Sequence, residues 1–268
     1  MSNSTGASRS NSEFLQMKHV NVARGDAVVL RDINLRIANA EHVAILGPNG
    51  CGKSTLIKTI TCECYPIVAP ETSIRLLGCD RWDVSQLRRH LGVVEAHLPG
   101  ERTGVTRGID AVVAGFFSAS TLWPNLQVTP EMRGRAHTAL ERMQATHLEQ
   151  KLVGQMSAGE QRRIMIARAL VHEPEMLLLD EPSNALDLAA QRELREALRL
   201  IAQQGTGIVM VTHHLADILP EITRVIMMRE GRVFADGAKE ELLTEKKLRE
   251  LFGVEVALTR RDGYWHSW

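Results

Sequence analysis

The sequence predicts an α/β fold, a parallel sheet with helices on both faces and a helical lobe inserted into it. Three observations carry this expectation. Strand-like and helix-like segments alternate on either side of a helix-rich middle. A short β-rich run, Glu41 to Leu46, stops at a glycine-rich turn from which a helical pattern starts at Lys53. Met176 to Leu179 is an unbroken apolar run, the form taken by a strand buried on both faces of a parallel sheet.

The elements follow in order. Phe14 to Val22 and Val28 to Ile37 mix apolar and polar residues in near-alternation, as half-buried strands do. The helix from Lys53 to about Thr61 carries Leu56, Ile57 and Ile60 on one face. From about Leu98 to Met156 the helix-period segments Ile109 to Phe117 and Pro130 to Met143 are separated by Gly and Pro breakers, which marks the inserted lobe. A helix from Gly159 to about His172 restores the α/β pattern. After the apolar strand come a helix near Ala189 to Gln203 and strands at Gly207 to Val211, Val225 to Met228 and Arg232 to Ala235. No internal repeat is seen.

Composition narrows the function classes. The chain has 268 residues, 44% hydrophobic and 24% charged, ordinary for a globular protein with a large core. Lys and Arg number 32, as do Asp and Glu, so the basic excess common in nucleic-acid binders is missing. Of the four cysteines, Cys62 and Cys64 flank Glu63 without a second pair at zinc spacing, so reduced thiols are expected. No run of about 18 apolar residues is present to span a bilayer. The Ser- and Asn-rich stretch Met1 to Ser12 reads as an unstructured tail rather than a secretory signal.

Gly47-Pro48-Asn49-Gly50-Cys51-Gly52-Lys53-Ser54 fits G-x-x-x-x-G-K-[ST] at every fixed position. Glycines let backbone N–H groups turn inward around a phosphate, and the helix that follows points its positive end at the same anion. Lys53 supplies a mobile cation for the β- and γ-phosphates, and the Ser54 hydroxyl suits Mg²⁺. Downstream, the apolar strand ends in Asp180-Glu181. Asp180 is placed to face the metal held by Ser54, and Glu181 to orient or deprotonate an attacking water.

Between these motifs lies Met156-Ser157-Ala158-Gly159-Glu160-Gln161-Arg162-Arg163. It resembles the LSGGQ signature of the ATP-binding cassette (ABC) ATPases, although Ser157 and Glu160 also spell an ordinary helix capping box. Asn184-Ala185-Leu186-Asp187 is similar to that family's D-loop, and Thr212-His213 to its switch histidine. The motifs stand in the family's order over about Phe14 to Gly253.

The resemblance implies a P-loop NTPase fold with a RecA-like parallel core, an N-terminal antiparallel β subdomain and the helical lobe. Residues 13–253 would form the ATPase domain, and 254–268 a C-terminal β extension. It implies Mg-dependent ATP hydrolysis with Lys53, Glu181 and His213 as catalytic residues. Gly47 to Ser54 and Thr55 would contact ATP, as would Ser157, Ala158, Gly159, Glu160 and Asp187 at a dimer interface. Two cassettes would close head to tail around two ATP, as a homodimer or with a similar subunit.

Three departures from the family stand out. Where many relatives stack an aromatic residue on adenine, about six positions before Leu30, this chain has Arg24, whose guanidinium plane can also stack. Where the family has its Q-loop glutamine, after Leu91-Gly92-Val93-Val94, the chain has Glu95, Ala96 and His97, and Glu95 or His97 offers a metal ligand in its place. The signature has Ala158 and Glu160 for Gly and Gln, with Glu160 expected to face away from phosphate as a cap. The altered Q-loop, the helix Ala111 to Phe117, Thr212-His213-His214, Leu251 to Val256 and Asp262-Gly263-Tyr264-Trp265 resemble the molybdenum-type, photorepair-like subgroup.

Three roles remain open on the sequence. The first is a subunit that drives a separate membrane permease, favoured by the single cassette where soluble relatives commonly fuse two. The second is a soluble ATPase acting on a macromolecule. The third, a nucleotide-gated module with little hydrolysis, is disfavoured by Glu181. The expected location is cytoplasmic, with a peripheral seat on the inner membrane face where a permease holds the chain.

Overall fold

The computed structural model describes residues 13–94 and 104–268, apart from the side chain of Ser85. The tail Met1 to Ser12 and the candidate residues Glu95, Ala96 and His97 lie outside the described residues.

The chain opens with two long strands, β1 (Glu13–Arg24) and β2 (Ala27–Ala38), paired antiparallel. Their alternation puts Leu15, Met17, Leu35 and Ile37 inside. Strand β3 (His42–Leu46) enters the phosphate loop, and helix α1 (Lys53–Ile60) leaves it. The short β4 (Ser73–Leu76), not anticipated from the sequence, adds antiparallel to β1. The N-terminal sheet is thus three-stranded, in the order β2-β1-β4. Helix α2 (Val84–His90) follows, also unforeseen, and runs directly into β5 (Leu91–Val94).

The lobe contains α3 (Gly108–Val113), which tightens into a 3₁₀ turn at Ala114–Phe117, and α4 (Pro130–Arg142). Pro130 sits at the start of α4, where a missing N–H costs nothing, and Thr129 caps it by accepting from the Met132 N–H at 3.2 Å. The expected helix over Ile109 to Phe117 is therefore a helix with a 3₁₀ end. Past the lobe come α5 (Ala158–Leu170), β6 (Met176–Asp180), α6 (Leu188–Gln203) and β7 (Gly207–Thr212).

Next are β8 (Arg224–Arg229), β9 (Arg232–Ala238), α7 (Lys239–Leu242) and α8 (Glu245–Phe252). A final hairpin, β10 (Leu258–Arg261) with β11 (Tyr264–Ser267), turns at Asp262-Gly263.

The central sheet runs β5-β6-β7-β3-β8-β9. All its neighbours are parallel except β8 and β9, which pair antiparallel. The sheet turns antiparallel there because two residues, Glu230 and Gly231, can close a hairpin but not a crossover. Alternate residues of each central strand face two separate cores. Ala44, Leu46, Leu177, Leu179, Ile208 and Met210 pack toward α5, α6 and the lobe. Val43, Ile45, Leu178, Val209 and Val211 pack toward α1 and the N-terminal sheet. Burial on both faces explains the unbroken apolar runs in the sequence.

Candidate active site

Parallel pairing brings the carboxyl ends of β3, β6 and β7 to one edge. Leu46 is opposite Thr212, and Asp180 is opposite Val211. The loops leaving these three strands are the phosphate loop, the acidic pair and the His213 segment, so the sheet register assembles the site at the strand ends where α/β folds bind ligands.

The phosphate loop turns into α1 through Gly52 at φ 106°, a left-handed geometry that favours glycine, and a Cβ there would lie 2.8 Å from Leu30 Cδ2. Lys53 is 5% exposed, and its Nζ donates to the carbonyls of Gly47 (2.7 Å) and Pro48 (3.0 Å). The ammonium is thereby folded across its own loop, where an anion entering the cradle would exchange for those carbonyls. Cys51 is buried, and burial pushes its thiol up, which leaves it unreactive. Ser54 is exposed at the first turn of α1 and bonds Asp180. Thr55 is buried and accepts, through its carbonyl, from the Thr59 hydroxyl at 2.8 Å, so its contacts here are internal to α1.

The Asp180 carboxyl is raised above the usual aspartate range by burial first and by neighbouring Glu181 second, against the opposing pull of Lys53 and Ser54. Glu181 takes a left-handed backbone at φ 47°, which costs a non-glycine residue on the order of 1–3 kcal/mol. Its N–H is held by the Val211 carbonyl at 2.8 Å. That conformation turns its side chain to His213, whose Nδ1 lies 3.0 Å from Glu181 Oε1. Both side chains are about a quarter exposed, 28% for His213 and 24% for Glu181. His214 packs on His213 with ring centroids 3.9 Å apart.

Sequence reasoning missed two members of this cluster, Asp217 and Ser183. Asp217, in a 3₁₀ turn at Leu215–Asp217, is 2% exposed. Its Oδ2 accepts from Ser183 Oγ at 2.5 Å and Thr212 Oγ1 at 2.9 Å. An aspartate in a short connection gives no periodic signal, and the hydroxyls that bury it come from distant segments.

The signature and D-loop residues lie at helix starts. Ser157 Oγ accepts from the Glu160 N–H (3.2 Å), and Glu160 Oε2 accepts from the Ser157 N–H (2.7 Å), a complete capping box on α5. Lys151 Nζ lies 2.8 Å from Glu160 Oε2 and, with the cap, holds the Glu160 carboxyl below the usual range. The Glu160 side chain is thus committed to cap and ion pair within its own subunit, and as an ATP contact it would have only its backbone to offer. Ser157 and Ala158 are exposed, while Gly159 is buried where a Cβ would meet Ala190 Cβ at 2.7 Å. Asp187 caps α6 by accepting from the Ala190 N–H at 2.8 Å. Arg24 stands exposed at the end of β1, and no hydrogen bond or ion pair joins it to the phosphate loop among the described residues.

Residues 30–184 match the family model described as ABC transporter. The chain is 31% identical to the uncharacterized ABC transporter ATP-binding protein YmeB of Lactococcus lactis, over 92% of this chain and 95% of that protein. It superposes with a TM-score of 0.74 on CbiO1 of Clostridium perfringens, part of the ABC transporter complex CbiONQ, at 29% identity over 89% of this chain and 94% of that one. A dimeric post-hydrolysis state of the ATP-binding cassette MJ0796, bound to ADP and Pi, superposes at 0.69 with 26% identity over 84% of this chain and 98% of that one. The chain belongs to the ABC transporter family, as an ATP-binding and ATP-hydrolysing subunit.

Proposed function

We propose that this subunit hydrolyses ATP between two cassettes closed head to tail, with Glu181 and His213 as the catalytic pair and Lys53 on the phosphates. The observation that carries the reading is the 3.0 Å contact of His213 Nδ1 with Glu181 Oε1, at the strand edge that also bears the phosphate loop. In this reading Gly47, Pro48, Asn49, Gly50, Cys51 and Gly52 wrap the β-phosphate, with Ser54 and Thr55 following at the helix start. Glu181 orients the attacking water and takes its proton, while His213 holds Glu181 through Nδ1 and turns Nε2 to the γ-phosphate. Ser157, Ala158 and Gly159 of one subunit, with the backbone at Glu160, close over the γ-phosphate of the other. Asp187 lies beside that interface.

A hydroxyl beside a carboxylate is a donor set suited to a hard cation, so Ser54 and Asp180 fit Mg²⁺, and the buried Asp180 carboxyl gains from a positive neighbour. Mg²⁺ would neutralise charge developing on the phosphates. Arg24 is assigned to the adenine face, and Glu95 to the metal, on sequence position alone.

The permease is a separate chain in this proposal, and the lobe transmits closure to it. Support comes from a cavity of about 200 Å³ at the junction of core and lobe, lined by α2, β5, the end of α5 and the turn after α3. No helix among the described residues is long and apolar enough to cross a membrane. The subunit is placed on the cytoplasmic face with that partner. The photorepair-like assignment rests on sequence resemblance at the altered Q-loop after Val94, Ala111 to Phe117, Thr212-His213-His214, Leu251 to Val256 and Asp262 to Trp265.

The test is steady-state ATPase activity against protein concentration, beside Glu181→Gln. Activity rising faster than linearly and lost in the variant supports a hydrolysing dimer. Linear activity that survives the substitution overturns it.

A further inference from the structure

The two candidate catalytic residues leave different strands, and one buried carboxylate ties the segments that carry them. Ser183 is two residues past Glu181 and 2% exposed, and Thr212 immediately precedes His213 and is fully buried. Both hydroxyls donate to the same atom, Asp217 Oδ2, at 2.5 and 2.9 Å. Thr212 Oγ1 also accepts from the His214 N–H at 2.9 Å, so the chain of bonds runs His214 N–H to Thr212 to Asp217, with Ser183 joining from the other side. The Asp217 N–H returns to the His214 carbonyl at 3.2 Å. His213 is therefore held at its preceding and following residues, and the acidic turn is fastened to the same anchor.

Three details make this more than a satisfied polar cluster. Glu181 occupies a left-handed backbone that relaxes unless its surroundings hold it, and Ser183 is the nearest side-chain anchor on its C-terminal side. Among the described residues no hydrogen bond or ion pair joins the Asp217 side chain to the phosphate loop, and Lys53 Nζ donates to Gly47 and Pro48. The Asp217 carboxylate has Arg195 at 4.0 Å from Oδ1, and that guanidinium lies over the Tyr264 ring of the terminal hairpin at 5.5 Å. The anchor is thus fixed from behind by packing remote from nucleotide.

We propose that Asp217 is a positioning residue that sets the Glu181–His213 distance, so that it governs the hydrolytic step and not ATP binding. This rests on the assignment of Glu181 and His213 to catalysis. A displacement of about 1 Å in a catalytic pair costs on the order of 100-fold. Asp217→Ala should accordingly lower kcat by about 10- to 100-fold while KM for ATP and the Kd of a fluorescent ATP analogue stay within about two-fold. Asp217→Asn keeps an oxygen able to accept both hydroxyls and should restore most of the rate. Because Ser183 acts through Asp217, adding Ser183→Ala to Asp217→Ala should cost nothing further, whereas Ser183→Ala alone lowers kcat.

The experiment measures kcat, KM and nucleotide Kd on the full chain for these variants, with circular dichroism to confirm folding and Glu181→Gln as reference. A wild-type kcat in folded Asp217→Ala overturns the inference, as does a loss of nucleotide affinity equal to the loss of kcat. If Asp217→Ala fails to fold, Ser183→Ala and Thr212→Val carry the test, and unchanged kcat in both overturns it. Failure of the underlying reading looks different, because Glu181→Gln would then hydrolyse ATP at the wild-type rate whatever Asp217 does.

Discussion

Glu181 and His213, 32 residues apart in the chain, meet at 3.0 Å because β6 and β7 are parallel neighbours whose ends reach the same edge. The local motifs mark each residue as a candidate, but nothing local pairs one with the other. Their contact puts a carboxylate and an imidazole within hydrogen-bond distance of each other at the strand edge that also bears the phosphate loop.

Glu181→Gln keeps the shape of this pair and removes the proposed base. Hydrolysis should fall by at least about 100-fold while ATP binding persists. With Mg-ATP the variant should elute from a sizing column as a dimer, and the nucleotide-free form should not. His213→Ala should lower kcat by a similar order with little change in KM, measured by phosphate release.

Asp180 offers a stability test with a defined sign. Its carboxyl is raised by burial, so its ionisation disfavours the fold, and that cost grows as pH rises through the folded value. Asp180→Asn should therefore raise the Tm of the nucleotide-free protein by a few degrees near neutral pH, the shift that about 1 kcal/mol produces in a domain of this size. The gain should vanish below the ordinary aspartate range, where the wild-type carboxyl is protonated folded or unfolded. Hydrolysis should be lost at every pH.

Gly159 lies where α5 crosses α6, and Ala190 Cβ occupies the space that its own Cβ would need. Gly159→Ala should cost about 1–3 kcal/mol of stability in denaturant titration. Ala190→Gly should recover part of that loss, giving a non-additive double mutant with a coupling of about 1 kcal/mol. Strictly additive losses would mean the helices separate freely.

Glu160 separates cap from charge. Glu160→Gln keeps an acceptor for the Ser157 N–H but loses the Lys151 ion pair, and Glu160→Ala loses both, at about 1 kcal/mol for the cap. Because the carboxyl is held below the usual range, its contribution is present above the ordinary glutamate value and is lost as pH falls through the folded value. Thermal melts should show wild type and Glu160→Gln converging in acid and diverging at neutral pH. The ATPase rate of Glu160→Gln should stay within about two-fold of wild type, because the side chain caps its own helix rather than facing nucleotide.

The phosphate loop, the apolar strand ending in Asp180-Glu181 and the signature capping box were all legible in the sequence. Each is local: a glycine backbone, a run of strand residues, a hydroxyl three positions from a carboxylate. The capping box, with Glu160 as a cap, is present as read, and the alternation of β1 and β2 emerged because one face of each is buried. The antiparallel β9 was open to inference from the two-residue gap before it, but β4 and α2 are short and weakly periodic.

The sequence by itself determined the phosphate cradle, the acidic strand end and the family, because these depend on residue types at fixed spacing along one backbone. Only the tertiary structure decided that Glu181 faces His213, that Asp217 joins Ser183 to Thr212, and that Gly159 packs against Ala190. Those contacts arise from strand register and helix crossing between segments about 30 residues apart, and no local propensity encodes which distant partner a buried polar group will find.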